Sequence, residues 1–589
     1  MITTTPPLPA NHPTAADAAA FVADAETRLA AMNVEQQRTA WIAENFITYD
    51  TQILAANAHQ KTIALGVALA KEARRFDDVD GLDADVRRKL ALMKNALTTP
   101  GPSDPHKTAE LARIGASMEA LYGAGKFTDR QGRALDINDA ARIVRTSRDP
   151  RELLETWSGW HSVARPMKAD YARLIELTNE GARELGYTDA GALWRSKYDM
   201  PPDAFAAEMD RLWLEVRPLY RALHGYVRWN LTRKYGEKVV APGRPIPAHL
   251  LGNLWAQEWG NIYDLVAPEN VPALGFDLTQ VLQRRDDIDA LAMVHMAGQF
   301  FTSLGFAPLP QTFWERSLFV KPRDREVVCH ASAWNIDDLD DLRVKMCIEK
   351  TADDFTTIHH ELGHNFYQRA YKTLPFLYRN SANDGFHEAV GDTIALSVTP
   401  EYLMKIGLIE KQPPVAADIA LLLREALNKV AFLPFGLVID KWRWEVFAGQ
   451  VGPEEYNQRW WSLRQEYQGI APPAARGAEA FDAGAKYHVA ANVPYARYFL
   501  ARILQFQFHR ALCRVAGLEG PLHRCSVYGN KAAGEQLHGM LALGQSRPWP
   551  DALEMISGER HMDATALLDY FAPLQSWLDE QNEGHEVGW

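Results

Sequence analysis

Apolar residues recur at the spacing of helix faces along almost the whole chain from Ala15 onward. Phe21, Leu29, Trp41 and Phe46 mark the first such segment, and others lie at 203–235, 288–304, 416–433, 494–516 and 564–581. Apolar residues that repeat every three to four positions predict amphipathic helices. Stretches rich in proline and glycine, at 99–102 and 241–245, separate the segments. The sequence therefore predicts a mainly α fold.

Strand-like alternation is scarce in this chain. Residues 326–333 and 342–347 are the candidate partners in a small β-sheet. No internal repeat, flexible linker or long run of charge divides the sequence. We therefore predict one large helical domain at 15–589, preceded by a loose arm at 1–14 that is rich in proline and threonine.

Composition excludes several functional classes. The 589 residues include 63 Lys+Arg and 75 Asp+Glu, which gives a net charge of −12. An acidic balance argues against nucleic acid or an anionic membrane as the main partner. A membrane-spanning helix needs about 18 or more apolar residues, and the best uncharged run, 430–439, is short and interrupted by Pro434. We expect a water-soluble protein without a membrane span.

Residues 360–364 read His-Glu-Leu-Gly-His and form an H-E-x-x-H motif. On a helix, positions i and i+4 share a face, so His360 and His364 can reach one metal ion. Glu361 lies one position along, where its carboxylate can act on water without binding the metal. Asp353 and Asp354 suit the start of such a helix, which argues against a surface helix that carries these residues by chance. The motif predicts a zinc site.

A third zinc ligand is expected from a nearby helix, because catalytic zinc usually takes three protein ligands. Glu388 and Asp392 are again at i and i+4, so one can bind zinc while the other supports a histidine ligand. Glu388 as ligand would give a His₂Glu site, as in thermolysin-like peptidases. His387 is an alternative ligand, and Glu388 can also be read as a solvated helix residue. Zinc with a carboxylate base indicates hydrolysis, with an amide bond as the expected target.

A cluster far downstream carries Lys486, His488, Tyr495, Arg497 and Tyr498. Amide hydrolysis needs donors for the oxyanion, and this cluster offers them. Aromatic residues at this density can equally pack a core. The two cations weigh against that interpretation, because buried cations need anionic partners, and the C-terminal carboxylate of a peptide would be one.

The four cysteines fall into two close pairs, Cys329 with Cys347 and Cys513 with Cys525. Neither pair has the C-x-x-C spacing of a zinc knuckle or a redox turn. Spacing alone leaves two interpretations open. The cysteines are either four buried thiols or two local disulfides in an exported protein.

From about residue 15 to Trp589 the sequence resembles the angiotensin-converting enzyme family of peptidyl-dipeptidases. The stretches that carry the resemblance are 328–334 (Val-Cys-His-Ala-Ser-Ala-Trp), 359–364 (His-His-Glu-Leu-Gly-His), 385–389 (Gly-Phe-His-Glu-Ala) and 481–486 (Phe-Asp-Ala-Gly-Ala-Lys). The resemblance implies a helical ellipsoid whose two halves flank a deep groove, with a small β-sheet near the zinc site and a helical lid. It also implies a single-domain, bacterial, monomeric member that releases C-terminal dipeptides from oligopeptides with a free C-terminus.

The resemblance also implies roles for individual residues. His360, His364 and Glu388 would bind one Zn²⁺, with Glu361 as general base and Asp392 supporting a ligand. His488 and Tyr498 match the family's hydrogen-bond donors to the transition state, and His330 and Ala331 match residues that hold the substrate backbone. Gln257, Lys486 and Tyr495 match the trio that binds the substrate's C-terminal carboxylate.

Two rival functions differ from this expectation. The first is another helical zinc oligopeptidase or a carboxypeptidase that removes one residue. The related carboxypeptidase branch has Arg at the anchor position, so Gln257 favours release of dipeptides. The other rival is a peptide-binding protein that keeps the scaffold without the chemistry. All the expected catalytic side chains are present in the sequence, which argues against this rival.

Further expectations concern chloride, disulfides and location. Tyr198 and Arg497 match a chloride site near the catalytic centre, which implies chloride as an activator. At a second chloride site Arg464 matches, but His161 stands where mammalian members have Arg, so we expect that site to be weak. The cysteine pairs fall on family disulfide positions, which implies a periplasmic or secreted protein. The N-terminal residues lack the features of a signal peptide, so an export leader would lie outside the numbered chain.

Overall fold

The computed structural model describes residues 13–272, 274–517 and 519–589. Helices dominate these residues, so the predicted mainly α fold is confirmed. In the described part of the chain, no helix combines the length and the apolar character needed to cross a lipid bilayer.

The first three helices form a layer with a small core of their own. They are α1 (Ala15–Asn45), α2 (Tyr49–Ala73) and α3 (Ala84–Asn95). Val22, Leu69 and Leu90, one from each helix, are buried in that core. α1 begins with a capping box, in which the Thr14 hydroxyl accepts a hydrogen bond from the Asp17 amide and the Asp17 carboxylate accepts one from the Thr14 amide. Thr14, placed by the sequence in the loose arm, is thus the helix cap, and residues 1–12 of that arm lie outside the described residues.

The remaining helices form a larger body. They are α4 (Pro105–Gly123), α5 (Ile137–Thr146), α6 (Pro150–Ser162), α7 (Lys168–Glu184), α8 (Ala190–Ser196), α9 (Pro202–Tyr235), α10 (Tyr263–Val266), α11 (Leu278–Arg284), α12 (Ala290–Ser303), α13 (Gln311–Arg316), α14 (Ala352–Ala370), α15 (Asp384–Leu396), α16 (Pro400–Lys405), α17 (Asp418–Phe447), α18 (Tyr456–Leu463), α19 (Tyr487–Ala490), α20 (Ala496–Val515), α21 (Lys531–Leu541), α22 (Trp549–Ser557) and α23 (Thr565–Gln581). α15 packs against both α14 and α20. These three helices carry the predicted zinc ligands and Tyr498.

The described residues form three two-stranded sheets. β1 (Phe127–Thr128) pairs antiparallel with β2 (Ala134–Leu135), β3 (Ile246–Pro247) pairs in parallel with β6 (Ile470–Ala471), and β4 (Ser332–Asn335) pairs antiparallel with β5 (Leu342–Lys345). The β4–β5 hairpin packs against α14. It is the small sheet that was predicted near the zinc site.

The predicted strand at 326–333 is wrong over most of its length, because β4 begins only at Ser332. The segment before β4 bonds to other elements instead. The Val328 amide donates to the Glu44 carbonyl at 2.9 Å, and Lys345 Nζ donates to the carbonyls of Val328 and His330 at 2.8 and 2.9 Å. These bonds satisfy backbone groups that a strand partner would otherwise have to satisfy.

α17 runs past the point where the sequence pattern ended. The pattern predicted a helix at 416–433, but the helix continues through Pro434 to Phe447. Proline removes one backbone hydrogen bond and usually ends or kinks a helix. Leu433, Pro434 and Phe435 are all buried, and α17 packs against both α9 and α20. Burial on several sides offsets the lost hydrogen bond.

Candidate active site

The predicted zinc ligands converge where α14 and α15 pack together. α14 begins after Thr351, whose hydroxyl accepts a hydrogen bond from the Asp354 amide. His360 Nε2 lies 3.0 Å from His364 Nε2 and 3.5 Å from Glu388 Oε2 of α15. Zinc bonds of about 2.0–2.2 Å in tetrahedral geometry hold ligand atoms about 3.4 Å apart. The three side chains are therefore spaced to bind one zinc ion.

Two glycines allow α14 and α15 to approach closely. A Cβ on Gly363 would lie 2.8 Å from the Gly391 Cα, and a Cβ on Gly391 would lie 2.7 Å from His360 Nδ1. Real Cβ atoms essentially never come that close to a neighbour. The spacing between His360 and Glu388 therefore depends on the lack of a side chain at both positions.

The charges of the site favour a cation among the ligands. Burial would lower the pKa of His360, but its contacts with Asp392 and Glu388 raise that pKa to about 10. Burial would raise the pKa of Glu388, but His360 and His364 lower it to about 2. A positive charge is thus stabilised here, and a divalent cation supplies it by taking the place of the proton. The donor set fits zinc.

Each of the two predicted histidine ligands contacts a second side chain. His360 Nδ1 lies 3.1 Å from Asp392 Oδ1, and Asp392 in turn accepts a hydrogen bond from Arg502 of α20. His364 Nδ1 lies 3.0 Å from His387 Nδ1. His387, the alternative ligand, lies outside the cluster of three donors and contacts the predicted ligand His364 instead. Burial lowers the pKa of His387 to about 3, so this imidazole is neutral.

Glu361 lies beside the metal ligands but outside the ligand set. With His360 it lines a cavity of about 790 Å³. His330 and Ala331, just before β4, line the same cavity. The structure therefore brings the predicted base, a predicted metal ligand and the two predicted backbone-holding residues to one cavity.

The predicted carboxylate anchor is assembled from distant parts of the chain. Lys486 Nζ donates to Gln257 Oε1 at 2.6 Å and lies 5.6 Å from the centre of the Tyr495 ring. Burial lowers the pKa of Lys486 to about 7, although nearby Glu258 opposes this shift. A buried ammonium whose hydrogen-bond partner is a neutral amide is well suited to bind a carboxylate.

Ala256, just before Gln257, has an unusual backbone conformation. Its φ is 50°, in the left-handed region where the Cβ of an L-residue is crowded. The Ala256 carbonyl accepts hydrogen bonds from Trp259 Nε1 at 3.2 Å and from Gln468 Nε2 at 3.4 Å. These bonds stabilise the turn that places Gln257 against Lys486.

His488 and Tyr498 lie close to the anchor and to the metal ligands. The Tyr498 ring is 4.8 Å from the Tyr495 ring and 5.6 Å from the His488 ring, centre to centre. Burial raises the pKa of Tyr498, and the nearby Glu388 charge raises it further. Burial lowers the pKa of His488 to about 2. Both side chains are therefore neutral groups that can donate a hydrogen bond.

The similarity of this chain to known proteins extends over nearly its full length. A sequence model described as angiotensin-converting enzyme matches residues 12–589. The chain belongs to the angiotensin-converting enzyme family. Angiotensin-converting enzyme of Bos taurus is 41% identical, over 99% of this chain and 45% of the bovine protein. Angiotensin-converting enzyme-like protein Ace3 of Mus musculus is 40% identical, over 97% of this chain and 79% of the mouse protein.

A relative of similar length also occurs in the angiotensin-converting enzyme family. Angiotensin-converting enzyme of Haematobia irritans exigua is 39% identical, over 93% of this chain and 91% of the fly protein. By contrast, the chain spans a little under half the length of the bovine relative. The family consists of zinc metallopeptidases, which agrees with the ligand set of α14 and α15.

The residues that match the first chloride site of the family lie together. Arg497 Nη2 is 3.1 Å from Asp384 Oδ2, while Arg497 Nε is buried without a hydrogen-bond partner among the described residues. Burial raises the pKa of Tyr198 well above its usual range, Asp384 raises it further and Arg497 opposes this. An N–H donor and a protonated hydroxyl are thus available to an anion.

The residues expected at a second chloride site, Arg464 and His161, are both buried. Arg464 is buried, with its guanidinium 5.1 Å from the Phe435 ring and 5.3 Å from the Trp460 ring. His161 is also buried and stacks on Trp157 at 3.8 Å. Burial lowers the pKa of His161 to about 4, so it adds no positive charge there.

Both disulfides implied by the family resemblance are confirmed. They join Cys329 to Cys347 and Cys513 to Cys525. Cys329 and Cys347 line the 790 Å³ cavity, so the first disulfide fastens the segment that carries His330. The second joins α20 to the loop that follows it.

Sequence reasoning missed three contributors to this site. Arg502 lies four positions after Tyr498, so helical spacing alone places both on one face of α20. Gly391 lies two positions after the 385–389 stretch, but a glycine needed for helix contact looks like any other helical glycine in a sequence. Glu258 directly follows Gln257 and lines the 790 Å³ cavity. No sequence motif indicates its position.

Proposed function

We propose that this chain is a zinc-dependent peptidyl-dipeptidase that hydrolyses oligopeptides and releases C-terminal dipeptides. The observation that carries the proposal is the buried Lys486–Gln257 anchor. It lies near a His₂Glu ligand set, with His488 and Tyr498 beside it. An anchor at a fixed distance from the ligands selects which peptide bond is attacked.

His360, His364 and Glu388 would hold the zinc ion. When bound, Zn²⁺ polarises a carbonyl oxygen and lowers the pKa of water. Glu361 accepts the proton of the attacking water and then delivers it to the nitrogen of the departing dipeptide. Its position next to His360, in the same cavity, supports this role.

His488 and Tyr498 stabilise the negative charge that develops on the carbonyl oxygen during attack. Each is a neutral donor at neutral pH, because burial keeps the imidazole unprotonated and the phenol protonated. Donors placed where charge develops contribute several kcal/mol to catalysis, of order 3 kcal/mol for each donor. His330 and Ala331 hold the substrate backbone along the cavity.

Gln257, Lys486 and Tyr495 bind the C-terminal carboxylate of the substrate. Product identification tests this assignment. A peptide with a free C-terminus should lose dipeptides in sequence, as followed by mass spectrometry, and its amidated counterpart should be a much poorer substrate. Loss of single residues would instead support the carboxypeptidase function. Binding of zinc and peptide without any turnover would instead support the rival function of a peptide-binding protein that lacks the chemistry.

The setting of the enzyme is part of the same proposal. We place the peptidase domain at 15–589 and the protein in the periplasm or outside the cell, since its two disulfides suit an oxidising compartment. It acts as a monomer on oligopeptides. Chloride at Tyr198 and Arg497 is an activator, while the site with His161 and Arg464 binds chloride weakly because the imidazole is neutral.

A further inference from the structure

We propose that Glu258 gives this enzyme a preference for peptides whose last residue is basic. The proposal rests on the function proposed above and extends it to the side chain of the C-terminal residue. Glu258 directly follows the anchor residue Gln257, and its charge acts on the anchor ammonium of Lys486. A residue held by its carboxylate at Lys486 therefore lies next to the Glu258 side chain.

The cavity that Glu258 lines has room for a long side chain. Its volume is about 790 Å³, and Glu258 lines it together with the metal ligand His360. The cavity also reaches Asn428, an exposed residue of α17, so it is open to solvent. A lysine or arginine side chain extending from the anchor can thus enter this space with its charged end partly hydrated.

The charges that line the cavity are mainly negative. Six carboxylates and two permanent cations line it. The cations are Lys429 and Arg502, and the carboxylates are those of Glu258, Asp353, Asp354, Glu361, Asp392 and Glu425. A zinc ion would carry two positive charges, and its predicted ligand Glu388, which is not among these six, would offset one of them, so a negative surplus remains. A cleft lined by one sign of charge concentrates groups of the opposite sign.

Among the described residues Glu258 forms an ion pair with Arg502, and Arg502 has a closer partner in Asp392. Arg502 Nη1 lies 2.5 Å from Asp392 Oδ2, whereas Arg502 Nη2 lies 3.7 Å from Glu258 Oε1. One guanidinium cannot neutralise two carboxylates, and the longer contact leaves Glu258 less compensated. The Glu258 side chain is 34% exposed. It is therefore free to pair with a cation on the substrate.

A matched pair of peptides isolates the charge. The two substrates are identical except that one ends in arginine and the other in citrulline, which has nearly the same shape without the charge. We expect wild-type kcat/KM to be on the order of tenfold higher for the arginine peptide. Glu258→Gln should bring that ratio close to one.

The matched control removes one negative charge elsewhere. Glu410 is exposed and does not line the cavity, so Glu410→Gln should keep the wild-type ratio. A wild-type ratio near one, or an unchanged ratio in Glu258→Gln, would overturn the proposal. The proposal would also be overturned if Glu258→Gln lost bound zinc and its kcat/KM fell equally for both peptides. Glu258 would then act on the metal site through Arg502 and Asp392.

The proposed function has a separate readout in the same experiment. Mass spectrometry of the citrulline peptide reports whether a dipeptide is released, whatever the ratio of the two substrates. Dipeptide release with an arginine-to-citrulline ratio of kcat/KM near one would overturn only the role of Glu258 and would leave the proposed function intact. Release of single residues would overturn the proposed dipeptidase function, on which the role of Glu258 depends.

Discussion

Glu361 faces the cavity next to the ligand histidines while remaining outside the ligand set. Glu361→Gln keeps the shape of the side chain but removes its basicity. We expect the variant to bind one zinc per chain and to lose about 10²–10⁴-fold in kcat, the usual contribution of a general base. Zinc content by atomic absorption and steady-state kinetics measure both quantities. A variant with wild-type kcat would exclude Glu361 as the base.

We expect the proposed anchor residue Lys486 to make substrate binding depend on pH. Its pKa is lowered to about 7 by burial, so the free enzyme loses this cation as the pH rises through 7. We therefore expect KM for a peptide with a free C-terminus to be constant well below pH 7 and to rise above it. The C-terminally amidated peptide lacks the carboxylate, and its KM should not follow this titration. Equal pH profiles of KM for the two peptides would contradict the anchor.

The clustering of the predicted zinc ligands could be anticipated from the sequence because they lie in two short motifs with helical spacing. His360 and His364 are four residues apart, and Glu388 follows on the next α-helix. Contacts that support these residues from distant parts of the chain could not be predicted from the sequence. Arg502 reaches Asp392 from 110 residues away, and no local pattern encodes such a contact.

At the scale of helices, we expect the contact of α14 with α15 to set the ligand spacing of the predicted metal site. Gly391→Ala would place a methyl group against the His360 ring and backbone. We expect about 10–100-fold weaker zinc binding, similar to the effect of changing a residue that orients a ligand. Competition with a zinc-binding dye measures the affinity.

Gly115 of α4 provides the control for that helix variant. It is also a helical glycine, and a Cβ there would meet no atom within 4 Å. Gly115→Ala should leave zinc affinity unchanged and stabilise the fold by about 0.5–1 kcal/mol, because alanine favours helix. If Gly391→Ala binds zinc as tightly as Gly115→Ala, close helix packing does not set the ligand spacing.

The course of the helices was more predictable than their ends and the strands. Helical periodicity gave the positions of α1, α9, α12, α20 and α23, because each buries one face along its length. It failed at Pro434, where burial on several sides keeps α17 helical. It failed again at 326–331, where alternating residues resemble a strand but the backbone bonds to Glu44 and Lys345.

At the scale of the whole molecule, the two disulfides should contribute to stability in the same way but to function differently. They close loops with sequence separations of 18 and 12 residues, and loops of this size are worth about 3 kcal/mol each. We expect replacement of either cysteine pair by serine to lower Tm by a few °C, measured by calorimetry.

Only loss of the Cys329–Cys347 disulfide should raise KM, because it alone lines the 790 Å³ cavity and fastens the segment of His330. The Cys513–Cys525 pair serves as the matched control for stability. An equal KM in both double variants would show that the segment keeps its position without the disulfide.

The left-handed Ala256 has a consequence for how this protein can be improved. A glycine there would relax a backbone conformation that disfavours alanine by about 1–2 kcal/mol, yet it would also free the turn that carries Gln257. The glycine variant would then be more stable to heat but would cleave its substrates at less uniform positions. Selection for thermal stability alone would favour glycine at position 256, and the resulting enzyme would cleave its peptides at less uniform positions.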